Sequence, residues 1–135
     1  MKPAMRIVSR CFLAVSALLL AGGGLAHALA YVRASTVVER STMPKFFIAA
    51  FKGLWMGDAS SSIALALVFA AIAFFPRLAT KPLIMLIAVG PIAVAIAIFA
   101  TMGNFYAGYL TMLAGMAALS GAVLHQNAYA DIRPH

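Results

Sequence analysis

Three long stretches of this sequence contain no charged residue, and they constrain the fold more than any other feature. Residues 11–32, 59–76 and 82–130 are free of Asp, Glu, Lys and Arg. A helix needs about 20 apolar residues to cross the roughly 30 Å hydrocarbon core of a bilayer. The first two stretches therefore predict one membrane crossing each, and the third is long enough for two.

The composition leads to the same class of protein. Of the 135 residues, 64% are hydrophobic and only 10% are charged, whereas a soluble domain carries about 25% charged residues. Too few polar groups are present to cover a globule. The ten-residue alternation of apolar and polar side chains that is typical of a transmembrane β-barrel is absent. We therefore predict an all-α integral membrane protein formed by a single membrane domain over residues 1–135.

The predicted architecture is a small bundle of four transmembrane helices. Gly103 and Asn104 interrupt the third charge-free stretch and supply the residues that turns prefer. The predicted spans are approximately 9–31, 54–76, 82–101 and 105–127.

The outer connector, residues 33–53, is the least membrane-like part of the chain. Apolar residues recur at helical spacing after Pro44, and this pattern predicts a short interfacial helix before the second span. The alternative is one long helix over residues 44–76. Gly53 and Gly57 would allow a bend between the two pieces.

The first helix also resembles a signal peptide, which leaves a second architecture open. Basic residues precede an apolar segment that begins at Cys11. Two short runs of small residues follow, one ending at Ala28 and the other at Ala30, and a signal peptidase could cleave after either. Cleavage of residues 1–30 would leave three spans. Retention is favoured because residues 11–32 are long enough to cross the bilayer.

The distribution of Lys and Arg predicts the orientation. With the N-terminus inside, six basic residues lie on the inner side and four on the outer side, and an excess on the cytoplasmic side is the rule. Both termini are therefore expected in the cytoplasm, with the protein in a bacterial inner membrane. The inner set is Lys2, Arg6, Arg10, Arg77, Lys81 and Arg133, and the outer set is Arg33, Arg40, Lys45 and Lys52.

Polar residues at membrane depth are the usual indicators of function, because each is costly unless it is paired or hydrated. Asp58 is the one acid at the edge of a span, and Trp55 lies one turn before it. His27 and Tyr31 share a face of the first helix near the same boundary. These four residues form a candidate ligand or proton site. Asp58 could instead cap the start of the second span, where the helix dipole favours a negative charge.

Small residues in the fourth span predict a helix-packing face. Gly108, Thr111, Gly115 and Ala118 recur three or four residues apart. Such spacing lets helix backbones approach closely in lipid. The face could serve packing within the chain, a homo-oligomer or a partner subunit.

The sequence supports no chemistry beyond these features. Phosphate-binding loops, catalytic motifs and closely spaced Cys/His/Asp/Glu sets are absent, so no catalytic residue, cofactor or metal is predicted and an enzyme is disfavoured. The net charge of +7 reflects topology and contact with lipid headgroups, not nucleic acid. The leading hypothesis is a non-enzymatic accessory or assembly subunit of a membrane complex. The alternative is a small transporter or ligand-binding membrane protein with its site around Asp58, Trp55 and His27.

Overall fold

The computed structural model describes residues 3–125, and all of their regular structure is helical. The four α-helices are each long and apolar enough to span a membrane, as the sequence predicts. Lys2, Arg133 and the last residues of the fourth predicted span lie outside the described residues. The helices are α1 (Pro3–Glu39), α2 (Lys45–Phe74), α3 (Lys81–Met102) and α4 (Tyr106–Leu124), with a short 3-10 turn at Pro76–Leu78.

Proline and glycine mark the ends of these helices. Pro44 directly precedes α2, and Pro82 lies in the first turn of α3, where its missing N–H removes no helical hydrogen bond. Gly103 ends α3 with a φ of +66°, a conformation that glycine adopts without steric cost. Its N–H donates to the Phe99 carbonyl at 3.1 Å. The sharp turn that follows brings α4 back along α3.

Within residues 3–125 the helices are arranged side by side in the order α2, α1, α4, α3. Extensive contacts join α1 to α2, α1 to α4 and α3 to α4, while α2 and α3 have at most marginal contact with each other. The bundle is therefore open between α2 and α3. The end that carries the α1–α2 and α3–α4 loops is named the loop end, and the opposite one, where α1 begins, is named the terminal end.

The helices differ in length, and the difference gives the molecule two unequal hairpins. At about 1.5 Å per residue, the 22 residues of α3 and the 19 of α4 are about 33 and 28 Å long, close to the hydrocarbon thickness. The 37 residues of α1 and the 30 of α2 are about 55 and 45 Å long by the same rise. The α1–α2 hairpin is therefore too long for the hydrocarbon core alone.

The register of α1 on α4 shows at which end the extra length lies. Ser9 and Leu13 of α1 meet Gly121 near the end of α4, so the start of the antiparallel α4 lies near the level of Gly24. Fifteen residues of α1 remain between Gly24 and Glu39, which corresponds to about 22 Å. The α1–α2 hairpin thus projects beyond α3 and α4 at the loop end.

Glycines allow the close approach of the helices at every major interface. A Cβ atom at Gly115 would lie 2.5 Å from Ile92 Cγ1 on α3, and one at Gly121 would lie 2.8 Å from Leu13 Cγ on α1. At Gly24 it would lie 3.0 Å from the Ala59 carbonyl oxygen on α2. Around these points lies a core made largely of alanine, with Leu13, Phe69 and Ile84 as its largest members. These three side chains are fully buried.

Polar side chains at the terminal end bind main-chain carbonyls where helices finish. Arg10 Nε donates to the Ala73 carbonyl at 2.7 Å, and Lys81 Nζ donates to the Val123 carbonyl at 3.0 Å. The buried Ser9 hydroxyl donates to the Gly121 carbonyl at 2.7 Å. The last carbonyls of a helix lack intrahelical partners and carry partial negative charge. Donors from α1 and α3 therefore stabilise the ends of α2 and α4.

The separate interfacial helix predicted before the second span is not present. One continuous helix runs from Lys45 to Phe74, as in the alternative of a single long helix. Gly53 and Gly57 keep helical φ values, since Gly103 is the one residue in the described part of the chain with positive φ. The Ser61 hydroxyl donates to the Gly57 carbonyl at 2.7 Å. The helix therefore continues through both glycines.

The tight glycine contacts can be tested with a matched pair of substitutions. Gly115→Ala should destabilise the protein by about 1–3 kcal/mol because Ile92 must move to admit the methyl group. Gly22→Ala should be neutral or stabilising by up to about 1 kcal/mol, because nothing lies within 4 Å of its added Cβ. Unfolding in mixed micelles of mild detergent and dodecyl sulfate measures both. Equal stability of the two variants would contradict the proposed role of close packing at Gly115.

Candidate functional site

Three of the four predicted site residues meet where α1 and α2 leave the level of α3 and α4. Gly24 sets the register of the two helices by packing on Ala59 of α2. One turn further toward the loop end, the imidazole of His27 stacks on the indole of Trp55, with ring centroids 4.1 Å apart and planes inclined by 12°. This geometry is a close, nearly parallel stack between the two helices.

The Trp55 indole also binds the backbone of the opposite helix. Its Nε1–H donates to the main-chain carbonyl of His27 at 2.8 Å. Phe51 lies one turn before Trp55, with ring centroids 5.2 Å apart and an inclination of 46°. The indole therefore contacts two rings and donates one hydrogen bond, which together fix its orientation.

Asp58 lies beside the stack. Its Oδ2 is 3.6 Å from His27 Nε2, so a protonated imidazole would form an ion pair with it. The two side chains are 31% and 48% exposed, and partly exposed pairs contribute little stability. Asp58 lies well inside α2, which begins at Lys45, so it does not cap the start of that helix.

Tyr31 stands apart from the other three. It lies one turn beyond His27 on α1 and is half-buried. Within residues 3–125, no hydrogen bond or ring contact links it to His27, Trp55 or Asp58. The structure therefore brings together His27, Trp55 and Asp58, and adds Phe51, which the sequence pattern does not indicate as a site residue.

An apolar groove lies next to this cluster on the loop side. It has a volume of about 350 Å³. The groove could not be predicted from the sequence, because most of its α1 residues lie beyond the predicted end of the first span. They share one face of the helix only because α1 continues to Glu39. Lys52 and Glu39 form an ion pair that joins the two helices nearby. The groove is lined by Ala30, Arg33, Ala34, Val37, Val38 and Phe51.

The candidate packing face of α4 is covered within the chain. A Cβ atom at Gly108 would lie 2.6 Å from Phe99 Cε1, and Gly115 meets Ile92 as described above. Ala118 is fully buried. Thr111 is half-buried, and its hydroxyl donates to the Ala107 carbonyl one turn before it on the same helix. Gly108 and Gly115 pack against α3 and Ala118 is buried, so little of this face is free for another chain.

The other side chains that could bind a ligand or react lie far apart. His125 lies at the terminal end, where Nε2 donates to the Ala79 carbonyl at 3.0 Å. Cys11 is exposed on α1. Among the described residues, no three His, Cys, Asp or Glu side chains lie close enough to hold a metal ion.

Comparison of the chain with protein-family models, with curated proteins and with solved structures found no match. Any function must therefore be argued from the geometry described above.

The stack of His27 on Trp55 can be tested by fluorescence, because Trp55 is the one tryptophan of the sequence. His27→Ala should uncover one face of the indole and increase its quenching by acrylamide. His125→Ala replaces a histidine at the opposite end of the molecule and should leave quenching unchanged. If His27→Ala gave the same quenching constant as the unaltered protein, the stack would be absent in solution.

Proposed function

We propose that the protein is a non-enzymatic accessory or assembly subunit of a membrane complex, and that it binds an integral membrane partner through the projecting end of the α1–α2 hairpin. The observation that carries this proposal is the uncovered apolar surface of that projection. The partner surface is defined here by Val32, Met43, Phe46 and Phe47, which are all exposed large apolar residues.

The lengths of the helices distinguish this surface from ordinary lipid-facing residues. In the proposed arrangement α3 and α4 match the hydrocarbon core, so acyl chains cover their apolar side chains. Phe46 is 76% exposed and Val32 is 72% exposed, yet both lie beyond the level at which α4 begins. Exposed large apolar side chains that neither lipid tails nor the chain itself covers are typical of protein interaction sites.

The packing of α4 supports the same choice of surface. The space beside Gly108 and Gly115 is occupied by Phe99 and Ile92 of the same chain. A partner helix could not use these positions without displacing α3. The α1–α2 hairpin therefore offers the better site for a second protein.

The proposed location is the bacterial inner membrane, with both termini in the cytoplasm. Its support is the count of Lys and Arg in the full sequence. Within residues 3–125 the two ends carry four basic residues each, so the asymmetry depends on Lys2 and Arg133. In this orientation the partner surface faces the outer side.

The partner surface can be tested with two phenylalanines on the same helix. Phe46→Ser changes the projecting end of α2, and Phe74→Ser changes a residue of similar exposure, 68%, at its other end. An aromatic residue central to an interface contributes about 2 kcal/mol or more, so Phe46→Ser should weaken binding by about 30-fold. Phe74→Ser should not weaken it.

The measurement is affinity purification of the tagged full-length chain from its own membranes in mild detergent, followed by quantification of co-purified integral membrane proteins. The expected result is a companion that is recovered with the Phe74→Ser variant and lost with the Phe46→Ser variant. Recovery of the same companion with both variants, or of the chain alone, would contradict the proposal.

A second candidate is a ligand-binding or transport protein, which the cluster of His27, Trp55 and Asp58 specifically favours. A carboxylate beside stacked aromatic rings is suited to an organic cation. The unaltered protein would then show saturable quenching of Trp55 by tetraphenylphosphonium, and Asp58→Asn would abolish it. Glu39→Gln, which removes an acid elsewhere on the hairpin, would retain it. Absence of saturable quenching in the unaltered protein would exclude this role for the cluster.

A further inference from the structure

The projecting end of the α1–α2 hairpin carries three cations that the described part of the chain does not pair. Arg33, Arg40 and Lys45 are exposed, and within residues 3–125 none of them forms an ion pair with an acid. The one acid between residues 28 and 57 is Glu39, and it is bound to Lys52. The unpaired charge of this end is therefore positive.

Exposed apolar side chains lie among these cations. Arg33, Val37 and Arg40 are spaced four and three residues apart, so they share one face of α1. Helical spacing holds to the end of this row, because the Arg40 N–H donates to the carbonyl four residues before it at 3.3 Å. Val37 is 66% exposed, and Phe46, which is 76% exposed, directly follows Lys45. The surface is thus both apolar and cationic.

The distance from the hydrocarbon core separates these cations from lipid headgroups. The level of Gly24, where α4 begins, marks the edge of the core. Arg33 lies nine residues beyond Gly24 and Arg40 lies sixteen residues beyond it, which corresponds to about 14 and 24 Å along the helix axis. The ring stack between the two helices brings Lys45 to a level between them. The headgroup layer is only about 5–8 Å deep on each side of the core.

A second copy of this chain is a poor match for the same surface. It would bring three more cations to the contact, and its acid at this end, Glu39, is already bound to Lys52. Like charges placed opposite each other disfavour such a contact. A protein surface on which acidic and apolar side chains lie together would be complementary in both respects.

We propose that the partner protein carries an acidic segment outside the membrane, whose carboxylates pair with Arg33, Arg40 and Lys45 while its apolar side chains pack on Val37 and Phe46. This inference rests on the proposed accessory role and adds the chemistry of the partner. The cations direct the encounter and select the partner. The apolar side chains supply most of the affinity.

The first test uses the companion that the tagged full-length chain retains in mild detergent. Arg33→Gln and Arg40→Gln should each weaken its retention about two- to fivefold at low salt, the effect of one exposed ion pair. Arg77→Gln is the matched control, because it removes the same charge from an exposed residue at the terminal end, and it should have no effect. Salt at about 0.5 M shortens the Debye length to about 4 Å, so it should lower the retention of the unaltered chain to that of the two variants.

Zero-length cross-linking tests the carboxylates directly. A water-soluble carbodiimide activates a carboxylate, and a lysine amine in contact with it then forms an amide. In isolated membranes, Lys45 should be joined to an aspartate or glutamate of the companion, as mapped by mass spectrometry of the linked peptides. Lys45→Arg keeps the positive charge without a primary amine, so it should retain the companion and lose this cross-link.

The outcomes separate this inference from the proposed function. A companion that Phe46→Ser loses, but that Arg33→Gln and Arg40→Gln retain fully and that forms no cross-link to Lys45, would support the accessory role and overturn the acidic segment. Equal weakening by Arg77→Gln would also overturn it. Loss of co-purified phosphatidylglycerol, and not of the companion, in Arg33→Gln and Arg40→Gln would assign the cations to lipid headgroups instead. Recovery of the chain alone would contradict both proposals.

Discussion

Close approach of helix backbones at glycine is the constraint on which the rest of the structure depends. Gly24 lies between α1 and α2, Gly121 between α4 and α1, and Gly115 between α4 and α3. In a bilayer, burial of apolar surface gives little drive for helix association, because lipid tails are as apolar as the side chains. Dense contacts between backbones must therefore supply much of the stability, and larger residues at these points would separate the helices.

The two ends of the molecule are stabilised by different chemistry. At the terminal end, Arg10 and Lys81 donate to carbonyls in the last turns of α2 and α4, where the helix dipole favours positive charge. At the loop end, the rings of His27 and Trp55 stack between α1 and α2. The hydrogen bonds of Arg10 and Lys81 connect α1 to α2 and α3 to α4 through main-chain carbonyls. The stacked rings connect only the two helices of the α1–α2 hairpin. The end that carries the proposed sites is thus also the one supported by a single pair of helices.

The sequence was sufficient to predict the helical class and the four helices, because charges are nearly excluded from hydrocarbon and their positions delimit the crossings. It was not sufficient to predict where α1 and α2 end. Polar segments such as Arg33 to Glu39 can be helical or irregular in water, and hydropathy does not distinguish these states. The continuity of α2 through Gly53 and Gly57 was left open for the same reason.

The candidate site was likewise predictable only in part from the sequence. Proximity of His27, Trp55 and Asp58 to one boundary follows from their positions along the first two helices. Their mutual contact depends on the rotation of α1 against α2, which the packing at Gly24 determines. The contact of Ser9 with Gly121, 112 residues away in the chain, depends on the order of the helices in the row. Periodicity within one helix carries no information on either relation.

The open arrangement of the helices also imposes an order on biosynthesis. The first two helices can pair as soon as α2 has been made, and the last two form a second antiparallel pair with a three-residue turn at Gly103 to Phe105. The two halves meet chiefly through α1 and α4, the first and the last of the four described helices to be synthesised. The joining of the halves therefore cannot begin until α4 is synthesised. Until then the face of α1 that carries Ser9 and Leu13 must remain in contact with lipid or with the insertion machinery.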